Sequence, residues 1–415
     1  MAKKTVRDLP KSALQGKRVL ARFDLNVSID DNGEITGDRR IRASLDTFQV
    51  LRDAGARVIA ISHLGRPDLA KGPDFNRPFR MDNVAKKLGE YLGSTVRKVD
   101  EVVGPKVTEA VNSLRPGEVL VLENVRFHAG EQSKDESKKK EFAAELARLG
   151  DIYVNDAFGT LHNKDVSVLA LPSVMKDRPR VIGLLVEKEL RTVDEMLSQP
   201  ARPMLGIMGG AKVSDKIKFI RVLLKQVDQL LIGGAMAYTF LKARGNETGN
   251  SRVETVSENK DGTKTDILAL AKDLLAEAGN KIVLPFDHLA VDRFEATANT
   301  QVTGADIPAG WMGIDIGPQT IAKYCEAVAA AKTVIWNGPM GLFEWGTPFE
   351  NGTRAIAEAM SRSSNRTIVG GGETAEAVEA FGLADRISHV STGGGAFLKY
   401  VEERKFQTLD QIEDM

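Results

Sequence analysis

Short runs of consecutive apolar residues alternate along this chain with longer stretches whose apolar positions recur at helical spacing. Runs apolar on successive residues suit strands buried on both faces. In the first half they are Arg18 to Leu25, Arg57 to Ser62, Val119 to Glu123 and Asp151 to Asn155. In the second half they are Met204 to Met208, Gln229 to Ile232, Lys281 to Pro285, Thr333 to Trp336, Thr367 to Val369 and His389 to Ser391. Between them, Val213, Ile217, Ile220 and Leu224 follow i, i+4, i+7, i+11, and Phe142, Leu146 and Leu149 follow i, i+4, i+7, which predicts helices. The run Lys138 to Lys140 reads as the solvated face of the second of these. This alternation predicts an α/β fold, a mostly parallel sheet wrapped by helices. A domain break is expected between Glu187 and Arg202, where the polar helical stretch Glu189 to Ser198 runs into Pro200 and Pro203.

Composition narrows the class. A length of 415 residues exceeds one ordinary core and predicts two or three domains. Lys+Arg and Asp+Glu both number 57, so no excess charge favours nucleic acid or an anionic membrane as the main partner, although a local basic patch stays open. The single cysteine, Cys325, excludes an intrachain disulfide and a cysteine-cluster metal site. Met1 to Pro10 has no apolar core of the secretory kind, and Val181 to Val186 is far short of a membrane span. A cytoplasmic protein is expected.

The residues just after each strand run point to chemistry, because ligands of open α/β sheets bind at the carboxyl ends of the strands. The first-half strand ends carry Asp24 and Asn26, His63 and Arg66, Arg126 and His128, and then His162. The second-half runs are succeeded by Gly209-Gly210, Gly233-Gly234, Gly338, Gly370 to Gly372 and Gly393 to Gly395. Cationic forks suit a small phosphate or carboxylate, whereas bare backbone at strand-to-helix turns suits a polyphosphate. Lys212 and Lys216 read as i, i+4 in the first turns of a helix opening after Gly209-Gly210, an arrangement that an anion would relieve. The GxxxxGK[ST] pattern is absent. Gly370 to Ala375 matches GxGxxA, but Ile387 to Ser391 holds no acid where a dinucleotide fold wants one, so a dinucleotide site is the minor alternative. These residues predict phosphoryl transfer between a nucleotide and a small anionic substrate.

Seven segments then resemble one family in order from about residue 5 to 396: Arg22 to Val27, Ser62 to Pro67, Leu122 to His128, Asn155 to Thr160, Gly209 to Lys216, Trp336 to Gly341 and Ser391 to Gly395. The chain resembles phosphoglycerate kinase. The resemblance implies two doubly wound, parallel-sheet, Rossmann-like lobes joined by a hinge helix. The first lobe would span 1–188 and bind the acid, the second 189–397 and bind nucleotide, and the tail 398–415 is a candidate to pack back on the first. It implies a hinge-bending monomer that makes ATP from ADP and 1,3-bisphosphoglycerate with Mg2+. Carried over by position, Asp24, Asn26, Arg40, His63, Leu64, Gly65, Arg66 and Arg126 would hold 3-phosphoglycerate. Lys212, Lys216, Gly233, Gly234, Asn337, Glu344, Gly371, Gly372, Glu373 and Thr374 would hold the nucleotide, and Glu373 the metal. Arg40, Lys212, Gly371 and Gly394 would act on the transferring group.

Three segments depart from the family pattern. Leu161-His162-Asn163-Lys164-Asp165 stands where the family usually has Ala-His-Arg-Ala-His, so Asn163 replaces an acid-binding arginine. Asp165 is expected to pair with Lys164 beside it. Glu373 replaces the usual Asp, and Phe397-Leu398-Lys399 replaces Ser-Leu-Glu. A slow paralogue with a binding or regulatory role, and a kinase for another small carboxylate, stand as alternatives.

Overall fold

The apolar runs form the two central sheets of the molecule. A computed structural model describes residues 3–258 and 261–415. The chain divides into two units, residues 3–191 with Glu403–Met415, and Thr192–Glu402. The division falls within the helix Leu184–Ser198.

In the first unit six strands pair in the order Arg97–Lys98, Val119–Val121, Arg57–Ile61, Arg18–Phe23, Ile152–Asp156, Arg180–Ile182, all parallel. The helix Arg39–Asp53 buries Ile41, Phe48 and Leu51, and Phe48 stacks on Phe23 with ring centroids 3.9 Å apart. The helix Glu136–Ala147 is capped by Asp135, whose carboxylate accepts from the amides of Ser137 and Lys138. The segment after Glu403 returns to this unit. Lys4 N donates to Glu413 O at 2.9 Å, Arg180 Nη1 to Gln411 O at 2.9 Å and Thr408 Oγ1 to Leu161 O at 2.7 Å.

The second unit repeats the plan, in the order Ile282–Val283, Gln229–Ile232, Met204–Met208, Thr333–Asn337, Arg366–Gly370, His389–Val390, again parallel. It adds an antiparallel sheet of His288–Val291, Thr300–Thr303 and Met312–Ile316, which the apolar pattern does not announce. The fold is α/β with two parallel, doubly wound sheets. In each sheet the chain first builds outward to one side, then crosses to the other. That crossing leaves a crevice at the carboxyl ends, beside Arg18–Phe23 and Ile152–Asp156 in one unit and beside Met204–Met208 and Thr333–Asn337 in the other.

Candidate active site

Asp24 leaves the strand Arg18–Phe23 into the first crevice and is buried. Its Oδ1 accepts from Arg40 Nη1 at 3.1 Å, while Oδ2 is buried without a partner. Arg40 lies in the first turn of the helix Arg39–Asp53, where the helix dipole opposes a cation. The Asp24 carboxylate offsets that penalty and holds the guanidinium at the crevice. Asn26 Oδ1 accepts from the amide of Gly65 at 2.7 Å, and Gly65 O accepts from Arg126 Nη1 at 2.7 Å. Gly65 adopts φ +58°, and a Cβ there would lie 2.4 Å from the Phe79 ring, so this turn admits no other residue without rearrangement. Leu64 is buried, its carbonyl held by Asn124 Nδ2 at 2.8 Å. Arg66 is exposed.

Beneath these groups lies a buried polar chain that the motifs do not reveal. Arg22, fully buried in the strand, donates from Nε to Ser167 Oγ at 2.9 Å, from Nη1 to Phe23 O, and from Nη2 to His63 Nδ1 at 3.0 Å. Ser167 donates in turn to Glu131 Oε1 at 2.5 Å, and its amide to Oε2 at 2.9 Å. Burial pushes the Glu131 carboxyl up to about 6, with the Arg22 charge opposing. Desolvation, then Arg22, Arg126 and Arg40, hold His63 well below the ordinary imidazole range. His63 is therefore neutral. Since Nδ1 accepts from an arginine, Nε2 carries the proton. A charge inside the run Val19-Leu20-Ala21-Arg22-Phe23 was the sequence signal for this chain of groups.

In the second unit the glycine turns are not equivalent. Three of them pack backbone to backbone: Gly209 N donates to Asn337 O, Gly210 N to Pro339 O and Gly234 N to Met340 O at 2.9, 3.0 and 2.9 Å. At Gly338, φ is +94° and a Cβ would lie 2.2 Å from Gly209 O. A Cβ on Gly233 would lie 2.5 Å from Met340 Sδ. These glycines let turns touch one another. Gly372 differs, because a Cβ there would meet nothing within 4 Å. It opens the helix Gly372–Ala380, which no side chain caps, and Gly394, opening Gly394–Glu403, lies close enough that its Cβ would sit 2.8 Å from Gly372 N. Two helix starts side by side aim their amide dipoles at one place, an arrangement that favours an anion. Asn337 and Thr374 spend groups within the protein: Asn337 Nδ2 donates to Gly370 O at 2.9 Å, and Thr374 Oγ1 accepts from Gly338 N at 2.6 Å.

The helical reading of Lys212 and Lys216 is corrected by the structure. Lys212 is exposed in an irregular segment, Ser214–Lys216 is a 3-10 turn, and the α-helix is Ile217–Gln226. Nor does that turn await a ligand. Glu254 accepts from the amides of Val213 and Ser214 at 2.8 and 3.0 Å and from Ser214 Oγ at 2.5 Å, so the protein supplies the anion itself. Lys216 instead reaches back to the glycine turns, donating from Nζ to Gly209 O at 2.8 Å. Burial lowers its pKa to about 8, with Glu373 and Asp215 opposing. A cleft of about 410 Å³ beside it is lined by Gly210, Gly234, Phe294, Leu342, Glu344 and Glu373, among others.

The departure at 161–165 is also reset. Asp165 is buried and faces Arg126, 3.7 Å from Nη2, rather than Lys164, which is exposed. Asn163 Nδ2 donates to Asp165 Oδ2 at 3.4 Å.

Comparison with known proteins shows the family. The family model described as phosphoglycerate kinase matches residues 7–404. The chain is 53% identical over 418 residues to the phosphoglycerate kinase of Gloeobacter violaceus and 46% identical over 417 residues to that of Rhodopirellula baltica, covering 100% of both chains each time. Among solved structures, the phosphoglycerate kinase of Coxiella burnetii matches with a TM-score of 0.80 at 35% identity, covering 99% of this chain and 98% of that one. The Pyrococcus horikoshii phosphoglycerate kinase matches with a TM-score of 0.82 at 28% identity, with the same coverage.

Proposed function

The chain belongs to the phosphoglycerate kinase family and transfers a phosphoryl group reversibly from 1,3-bisphosphoglycerate to ADP, giving 3-phosphoglycerate and ATP, and from this we propose which residues perform each part of that glycolytic reaction. One observation carries the proposal: the strand ends of one sheet present cations and a neutral imidazole, and those of the other present backbone amides and a desolvated lysine.

The first unit takes the acid. Asp24 Oδ2, lacking a partner, accepts the substrate hydroxyl. Asn26, whose Oδ1 is held by Gly65, offers its Nδ2, and His63 offers Nε2–H. Leu64 and Gly65 shape the turn, while Arg66 and Arg126 meet the anionic groups. The second unit takes the nucleotide in the cleft lined by Gly234 and Glu344. Lys216 and the amides of Gly371, Gly372 and Gly394 receive phosphate oxygens. Asn337 and Thr374 hold the turns in register, and Gly233 lets Met340 approach. In-line transfer needs positioning and charge neutralisation more than covalent chemistry. A β-phosphate oxygen of ADP attacks the acyl phosphorus as the bond to the carboxylate oxygen breaks, and no proton moves. Arg40 and Lys212 neutralise the group in flight.

Glu373, exposed in the first helical turn and lining the cleft, would hold Mg2+ together with the nucleotide phosphates. Magnesium is usually held by one or two carboxylates plus phosphates in this way, and when bound it neutralises phosphate charge. The remaining parts of the proposal are a monomer acting in the cytoplasm on small molecules alone. No described helix is long and apolar enough to cross a membrane.

Lys216 supplies the test. Its ordinary pKa is lowered to about 8, so the ammonium is charged below that pH and neutral above it. Phosphate favours the charged form, so binding above pH 8 takes up a proton and ADP affinity should fall there by up to about tenfold per pH unit. Titration calorimetry across this range should show the fall in the native enzyme and lose it in Lys216→Ala. That variant should bind ADP weakly and 3-phosphoglycerate normally. Equal loss of both ligands would refute the division of substrates.

A further inference from the structure

We propose that Asp165 is a resident counter-anion of the acid site: its carboxylate occupies the Arg126 guanidinium in the absence of substrate and sets the affinity for 3-phosphoglycerate below what the cations alone would give. The proposal rests on the assignment of Arg126 to the acid substrate.

The geometry around Arg126 separates its two edges. Nη1 is committed, donating to Gly65 O at 2.7 Å. Nε is buried without a partner, and Nη2 has Asp165 Oδ2 at 3.7 Å, beyond the usual hydrogen-bond range of about 2.7–3.2 Å. The guanidinium therefore keeps one face electrostatically satisfied but not saturated. The side chain is still 14% exposed, and with Nε buried an oxyanion can reach it at the Nη atoms and make the short charge-assisted bond that Asp165 does not make.

Asp165 is fixed where it stands. Gln132 Nε2 donates to its Oδ1 at 3.2 Å and Asn163 Nδ2 to its Oδ2 at 3.4 Å. Its carbonyl accepts from the amides of Val168 and Leu169 at 3.2 and 3.0 Å, which ties it to the following helical turn. Its other side-chain partners, Gln132 and Asn163, are neutral, and the cation it faces is Arg126. When a substrate anion binds this guanidinium, Asp165 stays where its own hydrogen bonds hold it, and its charge remains beside the ligand in a region of reduced dielectric. Asn163, with no charge of its own, helps to hold the competitor. The consequence is weaker binding and faster release of 3-phosphoglycerate, the acid product when ATP is formed.

The test is Asp165→Asn, which keeps the shape and the acceptor for Gln132 while removing the charge. Calorimetry and steady-state kinetics should show the 3-phosphoglycerate Kd and KM falling roughly tenfold, with the KM for ADP unchanged. Asp165→Ser, the second charge-removing variant, should shift both in the same direction if the first fails to fold. In an Arg126→Ala background, removing the Asp165 charge should gain almost nothing, since its partner is gone. If a folded Asp165→Asn binds 3-phosphoglycerate no better, or worse, while Arg126→Ala weakens it, Asp165 merely orients Arg126 and the proposal is overturned. If Arg126→Ala itself leaves 3-phosphoglycerate binding intact, the assignment of Arg126 to the acid is what fails.

Discussion

Arg40→Ala should lower kcat by roughly 10²- to 10³-fold, the usual loss when one preorganised donor to transition-state charge is removed. Arg40 is expected to matter this much because the fold stabilises it at an unfavourable place. It sits in the first turn of a helix and is held by a carboxylate that is itself buried. A cation held against the helix dipole by a buried carboxylate is already oriented when phosphoryl charge develops. The substitution also strands Asp24, whose Oδ2 already lacks a partner, so some loss of thermal stability should accompany the kinetic one. Arg40→Lys separates the two effects. It restores a charge near Asp24 but not the planar fork, so stability should return while kcat stays low. Stopped-flow and steady-state rates on both variants decide the matter; a kcat within tenfold of the native value in Arg40→Ala would mean that another cation neutralises the transferring group.

Arg22→Met should destabilise the enzyme by about 3–5 kcal/mol, the cost of leaving one buried charge without its partner. Arg22 and Glu131 are both buried and share Ser167 as a bridge. The deficit should depend on pH. Glu131 titrates near 6 in the fold even with Arg22 present, above the value near 4.5 of an unperturbed glutamate. Without Arg22 it must rise further. Between the two values the folded state holds a proton that the unfolded state releases, so stability falls as pH rises through this interval. Denaturant unfolding should therefore find the variant closest to native stability below pH 5 and furthest from it above pH 7. Adding Glu131→Gln removes the stranded charge and should recover much of the loss at neutral pH. No recovery in the double variant would show that the cost lies in the lost contacts to Phe23 O and His63 instead.

The sequence was a good guide wherever the signal was local. Met204–Met208 and Gln229–Ile232 have the bounds that their apolar residues predict. Arg97–Lys98 could not be seen, because a two-residue edge strand pairs through its backbone and has no apolar pattern to show. Val213 looked like the first residue of a helical stripe because it is buried, yet a 3-10 turn brings it inward just as well. Glu254, forty residues downstream, decides that turn, and nothing near Lys212 announces it. Asp165 fails in the same way: its neighbour in sequence is Lys164, but its neighbours in space are Arg126, Gln132 and Asn163. The strand ends were legible as places where loops converge, since parallel sheets fix where those loops meet. Which groups meet there was set by long-range packing.

The return of Glu403–Met415 to the first unit has a consequence for biosynthesis. Lys4 and Glu413 meet across 409 positions, so a ribosome must finish the whole second unit before the first can close. At about 5–20 residues per second, the first unit waits tens of seconds with Arg180 and the Leu161 carbonyl lacking these partners. The second unit, contiguous in sequence, has no such wait. The half of the enzyme that emerges first is thus completed only after the second.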